Sequence, residues 1–150
     1  MGAILILLAV YAGTIMLLYS VYVANILIGK ASRFELSLMD YYLQWVVANG
    51  QNSRGKMWLM ILCSFFIEFA YLFLALYLID NSTLIFLSIF LLTFELLHAG
   101  SVVLAFRQFF KNERPFKNLF NWRLERTSAL FLFTHTLLVL SNIFFFQGFL

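Results

Sequence analysis

Charge is scarce in this chain. Of its 150 residues only 11% are Asp, Glu, Lys or Arg, against 63% hydrophobic ones. Ordinary soluble domains carry roughly 25% charged and 45–50% apolar residues. Cysteine is scarcer still: Cys63 stands alone in an apolar run, which excludes a disulfide framework or a Cys-x-x-Cys site. The single proline, Pro115, falls between two apolar runs, and seven glycines leave no phosphate-cradling loop. No P-loop, GxGxxG, HExxH, GxSxG or kinase signature occurs. No repeat relates the first half of the chain to the second, as it would in a duplicated transporter.

What is present is apolar surface, too much for a single water-soluble domain of this length to hide. Its solvent must be lipid. Residues 3–28, 57–79, 84–106 and 128–149 each have the length and character to cross a core of about 30 Å as a helix. The runs are unbroken, whereas barrel strands alternate every second residue. The expected fold is an all-α, four-helix transmembrane bundle forming one domain.

All ten Lys and Arg residues lie between the first and second runs or between the third and fourth. The positive-inside rule then places both basic loops in the cytoplasm and both termini on the other side. Charge of this modest size and placement gives no reason to invoke nucleic acid. A cleaved signal peptide is disfavoured because the first run has no basic leader and is followed by Lys30 and Arg33. Asn81-Ser82-Thr83 matches a glycosylation sequon, in a turn too short to stand clear of a membrane.

The first basic loop has helical character over about 33–48. Ser32 and Glu35 are spaced as a capping box, and Asn49-Gly50 supplies a stop. Arg33, Ser37, Asp40 and Gln44 form a thin polar stripe, with Phe34, Leu38, Tyr41, Tyr42, Trp45 and Val46 around it. Such a helix suits the membrane surface. In the second loop Pro115 is placed to open a short helix carrying Phe116, Leu119, Phe120 and Leu124. Lys117, Arg123 and Arg126 would then face water or headgroups, with Trp122 at the interface. Phe34, Tyr41, Trp45, Phe116 and Trp122 are the expected membrane- or partner-facing residues.

Four ionisable groups lie inside the runs: Glu68, Glu95, His98 and His135. Each is a functional candidate because its burial in lipid is costly. Counted from the basic ends, His98 and His135 are each about 10–12 Å deep at 1.5 Å per residue, with Glu68 and Glu95 nearer the midplane. Polar stripes accompany them: Tyr11, Thr14, Tyr22 and Asn25; Ser64, Glu68 and Tyr71; Ser88, Glu95 and His98; Ser128, His135 and Asn142. These stripes should point at one another rather than at lipid. Glu68 and Glu95 at one depth suit a shared proton. Glu95-x-x-His98 carries half of a di-iron bundle motif, without the matching acid on the fourth helix. Two open cofactor readings are a transition metal on Glu68, Glu95, His98 and His135, and a b-type haem clamped by His98 and His135.

The layout of four spans, outside termini and a large basic first loop resembles that of the membrane-associated eicosanoid and glutathione metabolism proteins. Their Arg- and Asn-rich stretch is replaced here by Asn52-Ser53-Arg54-Gly55-Lys56. The resemblance is one of layout and implies no activity. The small multidrug transporters carry their membrane Glu in the first span, where this chain has no acid. The leading expectation is therefore an accessory or scaffold subunit of a larger membrane assembly, with lipid and other subunits or further copies of itself as partners. The alternatives are a proton- or cation-coupled transporter using Glu68 and Glu95, and a metal- or haem-binding protein or enzyme using the histidines. No residue is assigned a catalytic role.

Overall fold

Residues 2–146 are described by a computed structural model, and among them every regular element is helical. Five α-helices follow one another: α1 (Gly2–Leu27), α2 (Ala31–Asn49), α3 (Ser53–Leu78), α4 (Ser82–Phe110) and α5 (Trp122–Phe146). One-turn 3-10 segments precede α3 (Gly50–Asn52) and α5 (Phe116–Asn118). Helices α1, α3, α4 and α5 are the four long and apolar enough to cross a membrane. The expected end of the last run, 147–149, lies outside the described residues.

The junctions have local causes. Gly29, at φ +72°, ends α1 with a pair of bonds, from its own N–H to Ile26 O and from Lys30 N to Asn25 O. That is a Schellman motif, which needs the left-handed conformation glycine tolerates. Gly50, at φ +51°, ends α2 as the Asn49-Gly50 pair suggests. At the opposite end of the molecule Asn81 caps α4, its Oδ1 accepting from the Thr83 and Leu84 amides. The sequon asparagine is thus occupied as a helix cap.

The four long helices form an antiparallel ring in the order α1, α3, α4, α5, with α1 closing back along α5. Its inner seam is apolar at the far end, where Leu8, Ile15, Leu72, Leu91, Leu132 and Val139 meet. The outer surface is apolar as well, with Leu17, Leu18, Phe66, Tyr77, Phe86 and Leu97 all well over half exposed. An apolar exterior around buried Glu, His and Ser side chains is the reverse of a water-soluble protein.

The connection after α4 departs from the sequence reading. Pro115 opens a 3-10 turn rather than a surface helix, and residues 111–121 climb back along the end of α4. Leu119 is fully buried, and Phe116 and Phe120 meet Phe109 and Phe106 edge-on at 5.6 and 5.8 Å. With Met57, Ile61, Trp58, Tyr42 and Trp45 they make a second apolar core at the basic end. Helix α5 consequently starts about nine residues up α4, a stagger of about 14 Å.

A capping box at Ser32 and Glu35 is also not what forms. Lys30 occupies the N-cap position of α2 with no side-chain cap. Glu35 is buried against α1 and α5 instead: Arg126 Nε and Nη2 donate to its two carboxylate oxygens at 2.6 and 2.7 Å. The Tyr22 hydroxyl adds a bond at 2.7 Å, and Arg126 Nη2 reaches Ser32 Oγ at 3.1 Å. Arg126 therefore faces a carboxylate rather than headgroups. Phe34 stacks on Tyr22, and Tyr42, Trp45 and Val46 pack inward; Arg33, Ser37, Asp40 and Gln44 are exposed as expected. Tyr41, Leu36 and Val47 are exposed beside them.

Arg126 holds the Glu35 carboxyl below its ordinary value of 4.5; partial burial opposes this and the Tyr22 bond assists it. A lowered folded-state value makes the ionised form the stabilising one. The contribution is complete above about pH 4.5 and is lost as pH falls through the lower folded value. Protection of the α2 amides, measured against their intrinsic exchange rate at each pH, should thus stay high from neutral pH to mild acid and fall only below it. In Arg126→Gln the same amides should exchange faster already at neutral pH, by about tenfold or more, since a nearly buried carboxylate loses its charged partner. Unchanged protection in that variant would show that the pair does not hold α2.

Candidate functional site

Two polar clusters occupy the bundle, and the stagger of α5 decides which residues meet. His98 and His135 do not share a level. His98 of α4 meets Glu125 of α5, whereas His135 of α5 meets Ser88 of α4. Ser88 and His98 are ten residues apart on one helix, or about 15 Å. The expectation of equal depth assumed level helix ends, and the returning connection removes that premise.

The inner cluster is closed. The Ser88 hydroxyl donates to Leu84 O at 2.8 Å, so its oxygen must accept from His135 Nε2, also at 2.8 Å. His135 Nδ1 then carries no proton and accepts from the Tyr71 hydroxyl at 2.6 Å. Every hydrogen-bonding group has a partner, and the imidazole is neutral by donor and acceptor counting alone. Tyr71 is fully buried and its ring meets His135 edge-on. This is helix glue.

The second cluster, nearer the basic end, is different. Glu95, fully buried, accepts from Ser128 Oγ at 2.6 Å through one oxygen and faces His98 Nδ1 at 3.0 Å through the other. His98 Nε2 faces Glu125 Oε1 at 3.1 Å. One imidazole thus bridges two carboxyl groups. Either the ring carries both protons or one carboxyl holds the second, so the unit contains a proton with alternative sites.

Beside this bridge lies a cavity of about 230 Å³, lined by residues of all five helices and the returning connection. Glu68 enters it from α3. Its Oε1 accepts from the Tyr19 hydroxyl of α1 at 2.5 Å. Its Oε2 has no partner although the residue is only 4% exposed. It is the single buried side-chain N or O atom without one among the described residues. Glu125, His98 and Ser64 share the lining, with Tyr42, Phe65, Phe106 and Phe120 forming much of the rest.

The proposed supporting residues divide accordingly. Ser64 is at the cavity, Tyr71 and Ser88 serve His135, and Tyr22 serves Glu35. Asn25 bonds back to Val21 O within α1, and Asn142 is buried near the far end. Glu68 and Glu95 share no hydrogen bond; each has its own hydroxyl donor. Phe34, Trp45, Phe116 and Trp122 are half-buried in the basic-end core or beside it, which leaves Tyr41 as the freely exposed aromatic of that set.

The geometry does not fit an iron clamped by two histidines, because both nitrogens of each ring are already engaged, in separate clusters. Nor do three or more His, Cys, Asp or Glu side chains converge as a metal-ligand set among the described residues.

Tyr19 and Glu125 are the site residues that the sequence reading missed. Tyr19 falls three residues before Tyr22 and eight after Tyr11, on the inward stripe; Thr14, which was placed there, is exposed. Glu125 precedes Ser128 by three residues and so continues the Ser128–His135 stripe by one turn. No protein family, curated protein or solved structure matches the chain.

The contrast between the clusters gives a direct expectation. His135→Ala strands the buried Tyr71 hydroxyl, at about 1–3 kcal/mol. Tyr71→Phe strands His135 Nδ1 at a similar cost, whereas His135→Ala adds a cavity where the ring stood and should cost more. Thermal unfolding in detergent should show both losses, the first larger. Equal stability of all three proteins would remove the structural role given to His135.

Proposed function

We propose that this chain is a four-span integral membrane protein that carries protons or small cations through the Glu68 cavity. The observation that supports it is the unpartnered Oε2 of Glu68, a residue in the lining of a cavity beside the Glu95–His98–Glu125 bridge. A carboxyl group whose role is to tie helices together has its hydrogen bonds made, as the His135 cluster does. One left without a partner, on a residue that lines a cavity, is available to a proton or a cation. The bridge supplies the neighbouring proton sites.

In this reading α1, α3, α4 and α5 cross the bilayer, and α2 lies in the interface with Tyr41, Leu36 and Val47 toward lipid. Both basic connections are cytoplasmic, since the ten Lys and Arg residues are confined to that end. Helix α4, at 29 residues, is about 43 Å long and exceeds the hydrocarbon thickness of about 30 Å. Its last turns would stand in the headgroup region, where the returning connection packs on them. A role as accessory subunit is the second reading. The exposed apolar side of α2 favours it, because a neighbouring helix would cover that side as well as lipid does.

Proteoliposomes containing a pH-sensitive dye test the transport reading. Wild-type vesicles should acidify after an external acid pulse several times faster than protein-free ones. Glu68→Gln should abolish that excess, while His135→Asn should retain it per folded molecule. Wild-type vesicles no leakier than empty ones, or full flux in Glu68→Gln, would sink the reading. Orientation is tested separately in a Cys63→Ala background. A membrane-impermeant maleimide applied to intact cells should label Asp80→Cys and spare Lys117→Cys; the reverse pattern would invert the topology.

A further inference from the structure

We propose that the cavity binds a small organic cation, an ammonium group attached to an apolar or aromatic body, with the ammonium on Glu68 Oε2. The inference rests on the transport reading for its cargo role, but its binding site stands on separate observations. The first is the orphan oxygen: Glu68 is 96% buried by its 4% exposure, and its Oε1 is already taken by Tyr19. A charged donor arriving at Oε2 would make a charge-assisted bond in a region of low dielectric, the strongest kind available there.

Charge gives the second observation. Glu68 and Glu125 both line the cavity, and no Lys or Arg does. His98 is the one basic group in the lining, and both its nitrogens are directed at carboxylates. An anion would meet two acids and find no free donor from that ring. Wall chemistry gives the third. Tyr42, Phe65 and Phe120 present aromatic surface around the acids, and aromatic faces attract cations most strongly when water is excluded.

The same walls argue against an inorganic ion as the preferred occupant. Calcium and magnesium need about six or more oxygen ligands, and zinc needs several free nitrogen, sulfur or oxygen donors. The lining offers two carboxyl groups, hydroxyls and hydrocarbon. Size is consistent with a compact organic ion. The volume of about 230 Å³ equals the liquid share of about eight water molecules. That suits a ligand of about eight non-hydrogen atoms. Entry is supplied on the α3 side, where the lining residues Met60 and Ser64 are exposed.

Benzylammonium, with its aromatic ring and single ammonium, is the probe, titrated calorimetrically into the full chain in detergent at neutral pH. Benzyl alcohol and benzoate are the neutral and anionic comparisons. Benzylammonium should bind once per chain and the other two should not. Glu68→Gln, which keeps the Tyr19 bond and the side-chain shape, should weaken binding by about tenfold or more through loss of the charged acceptor. Phe65→Leu should weaken it by about three-fold through loss of an aromatic face. Ser64→Trp, which fills the entrance and leaves Glu68 intact, should abolish it, and it secures the test should Glu68→Gln fold poorly. Equal binding of benzyl alcohol, or undiminished affinity in both Glu68→Gln and Ser64→Trp, overturns the assignment. Proton flux that depends on Glu68 without any benzylammonium binding also overturns it, and leaves the transport reading standing. Binding without flux leaves the cation site standing and overturns transport.

Discussion

A polar side chain surrounded by hydrocarbon must find its partner inside the protein, and this constraint organises the whole bundle. The exterior is mostly Leu, Phe, Ile and Val, and the buried acids and imidazoles turn inward. The result is a set of specific inter-helix bonds: Tyr19 to Glu68, Ser128 to Glu95, Tyr71 and Ser88 to His135, and Arg126 to Glu35. Together they tie α1 to α3, α4 to α5, α3 and α4 to α5, and α2 to α5. Apolar packing gives the helices affinity for each other. The polar pairs fix their register, because a slip of one turn would leave several buried groups without partners.

Against that background the single open oxygen on Glu68 has particular meaning. The hydroxyls of Tyr19, Tyr22, Tyr71, Ser88 and Ser128 each have a hydrogen-bond partner. Glu68, which lines the cavity, has a donor for Oε1 and none for Oε2. The His135 cluster demonstrates that the same helices can close a polar site completely. Closed and incompletely bonded polar groups are thus separated along the axis, with the His135 cluster toward the far end and the Glu68 carboxyl toward the basic end.

Much of this was legible in the amino-acid order. The four runs, the turn at Asp80-Asn81, the helix stop at Asn49-Gly50 and the inward aim of Glu68, Glu95, His98 and His135 follow from hydropathy and helical spacing. What failed was vertical placement. Hydropathy marks where a run ends and says nothing of whether the next segment leaves the bundle or folds back on it. Phe116, Leu119 and Phe120 fold back, so α5 is raised against α4, His98 meets Glu125, and His135 moves a further three turns away. Glu35 failed for a related reason. A Ser-x-x-Glu pattern has a local use as a cap, and only the distant Arg126 shows that the acid is spent on a tertiary contact.

The Glu35–Arg126 pair also bears on how the chain is assembled. Its members are separated by 91 residues, so the acid emerges from the ribosome long before its partner. Until α5 is made, the Glu35 carboxylate lacks the Arg126 guanidinium that pairs with it in the finished fold. Arrival of the final helix supplies that guanidinium, seats α2 beneath the bundle and brings Tyr42 against Phe120 as the wall of the cavity. The lining of the cavity is therefore complete only when the last helix is in place, because Glu125 and the preceding Phe120 close it after the other four helices have been made.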